Sequence, residues 1–308
     1  MKQFLLLVAL SGNLAYGQYS LGLHLDKGHV YLMHVSAKAK GSNEMQGKKM
    51  DFSAAMNGIS RIRVLEAGEQ EFTLEASYDT LHMTMMTPMG RSEFSTSPSL
   101  REMAGGKADP MNLPHLLITV SKNGSIKKIM NPDTTGGMLS ILKNLPMLEA
   151  MKRMMMMRQT GSSGQQKKSN GHKAMKERME LITAVYPDKK VGLHEHWGHS
   201  FQADSVLDQM VSTDFELLAY GGGVATIRGH AESKKVSMPK KGPGFPVDLD
   251  IASKVESNFS VDAASGWIKS GDFSAETKGQ VQIKDSKAPG GARNMPFQLT
   301  ATISIKAD

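Results

Sequence analysis

Residues 72–85 read FTLEASYDTLHMTM, and this stretch decides the fold class. Phe72, Leu74, Ala76 and Tyr78 alternate with Thr73, Glu75, Ser77 and Asp79, and Leu81, Met83 and Met85 continue the pattern. A period of two sends successive side chains to opposite faces, the mark of a half-buried antiparallel strand; a helix would repeat about every 3.6 residues.

Toward the N-terminus the same grammar holds. Leu21, Leu23 and Leu25 share one face, as do Tyr31, Met33, Val35 and Ala37. The joints carry turn chemistry at Asp26-Lys27-Gly28, Ala67-Gly68, Pro88-Met89-Gly90 and Lys122-Asn123-Gly124, where Gly and Asn accept positive φ. From His199 onward the alternation returns in Val247, Leu249, Ile251, Val255, Phe259 and Val261, then Phe273, Ala275, Val281 and Ile283, then Phe297 to Ile305. Gly221-Gly222-Gly223 reads as a hairpin loop, because no helix start follows it to make a phosphate cradle.

Between these halves the period becomes helical. Met138, Leu139, Ile141, Leu142 and Leu145 fit one short helix, and Pro146 opens a second with Met147, Leu148, Met151, Met154 and Met155 on one face. Gln159 to Gly171 is a polar, Gly- and Ser-rich linker expected to be mobile. A third helix at about 172–185 presents Met175, Met179 and Ile182 and stops before Pro187. The expected organisation is a signal peptide at 1–17, a strand-rich half at 18–135, a helical segment at 136–186 and a second strand-rich half at 187–308. The expected class is α+β: mainly antiparallel β, in two similar curved sheets or half-barrels, with two or three central helices packed on them.

The signal peptide is expected from Lys2, the apolar run Phe4 to Leu10, and the small residues Ala15 and Gly17 at a peptidase site, with cleavage after Gly17. That run is too short to span a bilayer, which takes about 20 residues. The expected location is therefore periplasmic or extracellular, in soluble form. The 308 residues include 24 Met and no Cys, which excludes disulfides, thiol nucleophiles and Cys-ligated metals. The formal charge of +7 is concentrated between Lys152 and Arg178, so a nucleic-acid partner is not expected.

Several motifs in order, LHLDKGHVY (23–31), FTLEASYD with MMTPMG after it, VYPDKKVGLHEHW (185–197) and SGWI (265–268), are shared with a known family. Over nearly all of the mature chain the sequence resembles a family of exported, Met-rich bacterial proteins, frequent in the Bacteroidetes, known only as a domain of unknown function (number 6263). Where the family has a Gly-Asp-Ser-Trp-like run without His, this chain has HEHWGH at 194–199. The family brings no assigned activity, so no functional residue is carried over. Gly28 with Tyr31, and Gly192 with Trp197, open the two halves in similar ways, as a diverged duplication would.

His194 and His196 at i, i+2 are the metal candidates, since one strand face would hold both imidazoles; a solvated strand edge is the plainer alternative. Clustered Met could bind Cu(I) through thioethers, yet strand and helix periodicity already place most of them in a core or an apolar cavity. Ser125/Lys128, Ser140/Lys143 and Ser237/Lys240 match Ser-x-x-Lys about as often as chance allows. No other catalytic or cofactor fingerprint occurs, although a carboxylate-pair hydrolase would leave none. The leading expectation is a non-catalytic exported protein binding a lipid or acyl chain in a cavity lined by Met83, Met85, Met151, Met154, Met155, Met175 and Met179, without a cofactor. The alternatives are a Met/His copper protein or an envelope assembly module, and residues 147–178 are a candidate for peripheral membrane contact.

Overall fold

The computed structural model describes residues 17–45, 48–96, 115–130, 186–203, 209–241, 246–284 and 292–308. These build twelve strands: β1 (Val30–Met45), β2 (Lys48–Ala67), β3 (Glu71–Thr87), β4 (Gly90–Ser95), β5 (Leu116–Ser121), β6 (Ile126–Met130), β7 (His196–Ala203), β8 (Gln209–Gly221), β9 (Val224–Lys241), β10 (Pro246–Asp262), β11 (Ile268–Lys284) and β12 (Ala292–Ala307). All lie in one antiparallel sheet in the order β6-β5-β3-β2-β1-β12-β11-β10-β9-β8-β7, with β4 beside the second half of β3.

The expected α+β class is corrected by this sheet. The described residues are nearly all antiparallel β, and no helix occurs among them. The two halves do not make separate sheets: β1 pairs with β12 from Met33↔Ala307 to Asn43↔Phe297. A first and a last strand left unpaired would each expose an edge of backbone donors and acceptors, and joining them removes both edges from solvent. The expected helices and the linker at 159–171 fall outside the described residues.

The expected turns form where they were read. Gly28, Gly124, Gly222 and Gly223 take positive φ at the bends, and Gly221 to Gly223 connect β8 to β9 as a hairpin. Leu21, Leu23 and Leu25 do share a buried face, but they lie on an extended segment crossing the sheet, with an isolated bridge at Tyr19↔Val191.

That segment makes the base of the molecule. The Leu23 N–H donates to the Lys122 carbonyl (2.7 Å) in the β5–β6 turn, and the His24 N–H donates to the Ser265 carbonyl (2.8 Å) in the β10–β11 turn. The Tyr186 N–H donates to the Asn123 carbonyl (2.7 Å), and its hydroxyl donates to the Gly266 carbonyl. Burial pushes that hydroxyl far above the ordinary tyrosine range, so it stays a donor. Residues 19–25 and 186–195 thus connect the two wings at one end of the strands, over a core that includes Val64, Val191, Leu217 and Ile227, none more than 1% exposed.

The Phe rings on the core face lie over glycines of neighbouring strands. A Cβ on Gly41 would strike the Phe52 ring, and one on Gly279 would come within 2.7 Å of Phe297. This ring-over-glycine pairing covers backbone that a small residue would leave bare. At Gly229, inside the base core, a Cβ would collide with Ser257 Oγ and sit 2.9 Å from Phe215. Gly229→Ala is therefore expected to cost about 1–3 kcal/mol in urea unfolding by overpacking. Gly198→Ala, with its nearest neighbour at 4.0 Å, is expected to be near neutral.

Candidate functional site

The register sorts the long strands into one apolar and one polar face. In β1, Met33, Val35, Ala37 and Ala39 point one way, and His34, Ser36, Lys38 and Lys40 the other. Neighbouring strands keep the division: Ala37 lies between Met56 and Ile303, and Ala39 between Ala54 and Ala301. The next partners outward are Met83 beside Met56, Met85 beside Ala54, and Ala275 beside Ala301.

At the base this face is buried under residues 19–25 and 186–193. Away from the base it is different. Substantial contacts between described strands are all between sheet neighbours, so no described strand packs on it as a second layer. Ala37, Ala39, Phe52, Ala54, Met56, Met83, Leu299 and Ala301 are half-buried there. Ala54, Ala39, Ala301 and Ala275 form an unbroken row of the smallest apolar side chains across four strands, a shallow floor with Met83 and Met85 at one end. Five strands at about 4.8 Å spacing and about seven residues at 3.3 Å give this area roughly 550 Å². That is the upper end of the apolar patch a monomer ordinarily leaves uncovered.

Met83 and Met85 lie on this apolar face, with Met85 buried and Met83 half-buried. Met151, Met154, Met155, Met175 and Met179 lie outside the described residues. The alanine row had no sequence signal, since Ala39 and Ala301 meet only through the β1–β12 register.

The reverse face carries cross-strand ion pairs. Glu216, on β8, accepts from Arg228 and lies 3.0 Å from His194 Nδ1 through Oε1. His196 Nδ1 lies 2.7 Å from Asp214 Oδ2. His194 precedes β7 with a φ of 62°, so the two imidazoles do not share a strand; they converge on β8 carboxylates that Arg228 partly neutralises. Among the described residues no group of three His, Asp or Glu is arranged to hold a metal ion.

The Arg228 guanidinium, then His194, holds the Glu216 carboxyl below its usual range; Lys189 and the Gly192 N–H do the same for Glu195, and Arg61 for Asp79. Among the described residues Glu256, Asp262 and Glu276 are held low in the same way, by Lys254, by the Ser265 N–H and by Lys278. A lowered folded value stabilises above the unfolded carboxyl range of about 4 and loses that contribution as pH falls through the folded values. The urea midpoint is expected to hold at mildly acidic pH and to drop below about pH 4, and Glu216→Gln should make that drop shallower.

Sequence comparison gives a match to a family profile over residues 69–268, nearly two thirds of the 308 residues. The chain belongs to the family of unknown function DUF6263. The DUF6263 match runs from the β2–β3 turn to the start of β11; β1, β2 and β12, which occupy the middle of the sheet, lie outside it. No curated protein sequence matches the chain. Among solved structures, a lipovitellin structure concerned with lipid–protein interactions is 11% identical at a TM-score of 0.46; it covers 92% of this chain, which spans 25% of the lipovitellin chain. An outer-membrane channel from Pseudomonas putida F1 is 6% identical at 0.25, covering 93% and 97% of the two chains. Salmonella typhi OmpF in complex with daunomycin is 7% identical at 0.23, covering 94% and 100%. None reaches a TM-score of 0.5, so none fixes the fold. No helix among the described residues is long and apolar enough to cross a membrane, which says nothing of strands.

Proposed function

We propose that this DUF6263 protein is a non-catalytic exported protein that binds an apolar ligand, a lipid or an acyl chain, on the alanine-floored, methionine-edged face of its sheet. The observation that carries this reading is the continuous apolar area beyond the base, half-buried and with no described strand packed on it. An apolar face of roughly 550 Å², at the upper end of what a monomer leaves uncovered, gives an acyl chain room to bury its methylenes, each worth about 0.8 kcal/mol. Methionine suits the role, because its unbranched thioether chain adapts to ligands of different shape. The ring-over-glycine pairs suit it too, since a Phe ring lying flat leaves a smooth surface for methylene contact.

The test is native mass spectrometry with solvent extraction of full-length protein purified from its own cells. A co-purifying acyl lipid, released on denaturation, is the expected result. Ligand-free protein that also fails to take up a fluorescent fatty acid would remove the proposal.

A further inference from the structure

The strands are charged unevenly along their length. At the end away from the base, β2 opens with Lys48 and Lys49, β4 places Arg91 second, β9 closes on Lys240 and Lys241, β11 closes on Lys284, and β12 places Arg293 second. The only acid within the last two positions of the described strands that reach this rim is Glu44. At the base the same positions hold Lys127, Lys269 and Lys306 against Glu66, Glu71 and Asp262, so that end is balanced. The register alone gathers these cations, because Lys48 and Arg293 sit at opposite ends of the sequence.

The rim also carries an apolar tip. In the Pro88-Met89 turn between β3 and β4, Met89 is 80% exposed and Met86 is 52% exposed, both close to Arg91. Asp51 and Glu93 pair with Lys49 (3.3 Å) and Arg91 (2.9 Å), but such solvent-exposed pairs hold a cation only weakly.

We infer that this open rim docks the protein on an anionic lipid bilayer, with Lys48, Lys49 and Arg91 at the phosphate level and Met86 and Met89 entering the interface. Cations beside a membrane each add about a factor of five in affinity, and exposed thioethers add contact with the acyl boundary. Docking in this orientation stands the strands on the membrane with the base pointing away, so the apolar face meets the bilayer edge-on. The inference rests on rim charge and the exposed tip, and it holds whether or not the face carries a ligand.

The test is co-sedimentation of the full-length protein with vesicles of phosphatidylcholine alone or mixed with phosphatidylglycerol. The protein is expected to bind the mixed vesicles only, and to be released by salt. Lys48→Gln with Lys49→Gln and Arg91→Gln should weaken partitioning about 100-fold, and the corresponding Glu variants more. Lys127→Glu with Lys128→Glu at the base, and Lys167→Gln, Lys168→Gln, Lys173→Gln and Lys176→Gln in the central basic segment, should leave it unchanged. Met86→Ser with Met89→Ser should weaken binding to vesicles but not to soluble dextran sulfate. Absence of binding to the mixed vesicles, loss that follows the base or central cations, or Met variants without effect on vesicles would each overturn the inference.

Discussion

Gly266→Ala is expected to lower the melting temperature by about 10 °C and to release residues 19–25 from the base, whereas Gly28→Ala should cost only about 1–2 kcal/mol. Both glycines are left-handed, with φ of 69° at Gly266 and 86° at Gly28. A Cβ on Gly28 would meet nothing within 4 Å, so only backbone strain is charged there. On Gly266 it would strike the Gly22 carbonyl oxygen and lie 2.7 Å from the Gly22 carbonyl carbon. Backbone cannot swing aside as a flexible side chain can. The crossing segment must lift, which breaks the His24 to Ser265 hydrogen bond and uncovers Leu21, Leu23 and Leu25. Each buried Leu contributes about 1.5–3 kcal/mol, against a total stability of about 5–15 kcal/mol. Thermal unfolding, with hydrogen exchange over residues 19–25, measures both effects; equal stabilities for the two variants would show that the segment is not seated on this turn.

Ala301→Glu is expected to weaken binding of a fluorescent fatty acid by about 100-fold or more while the protein stays folded. Ala301 lies in the middle of the alanine row, between Ala39 and Ala275 in register. A carboxylate there must either lose its water under the ligand or hold the ligand off, and an unpaired buried charge costs several kcal/mol. With no described strand packed over the position, the ligand-free variant is expected to keep the carboxylate hydrated, and stability should change by about 1 kcal/mol or less. Thr302→Glu is the companion variant, one residue along and on the exposed polar face, and should bind as the native chain does. Fatty-acid titration beside thermal unfolding separates the outcomes: collapse of the fold in Ala301→Glu would mean that this face is packed as a core.

Much of this architecture was legible in local pattern. The alternation within Phe72 to Tyr78, Leu81 to Met85 and Phe297 to Ile305 reports the pleat directly, because within each run a side chain's face is set by parity; a bulge opposite Ile59 and Ser60 switches the parity between the first two runs. The glycine turns were equally readable, since positive φ leaves a compositional trace. Which strands would pair left no such trace. The β1–β12 seam joins residues some 260 positions apart, and nothing in either strand names its partner. That seam makes one sheet where two were expected, lines up Ala54, Ala39, Ala301 and Ala275, and gathers Lys48 and Arg293 on one rim. Charge counted along the chain located only the run from Lys152 to Arg178, because the rim cations are dispersed in sequence. His194 was misplaced for a local reason: its positive φ takes it out of the strand parity by which it was paired with His196.

The central claim, that an acyl ligand lies on the apolar face beyond the base, is most directly tested by photo-crosslinking. A fatty acid carrying a diazirine on its chain is bound to the full-length protein, activated, and its adducts mapped by peptide mass spectrometry. Adducts are predicted in the peptides holding Ala39, Met56, Met83 and Leu299, competed by unlabelled fatty acid and reduced in Ala301→Glu. Adducts confined to peptides of the polar face or elsewhere, or labelling that excess fatty acid does not compete, would contradict it.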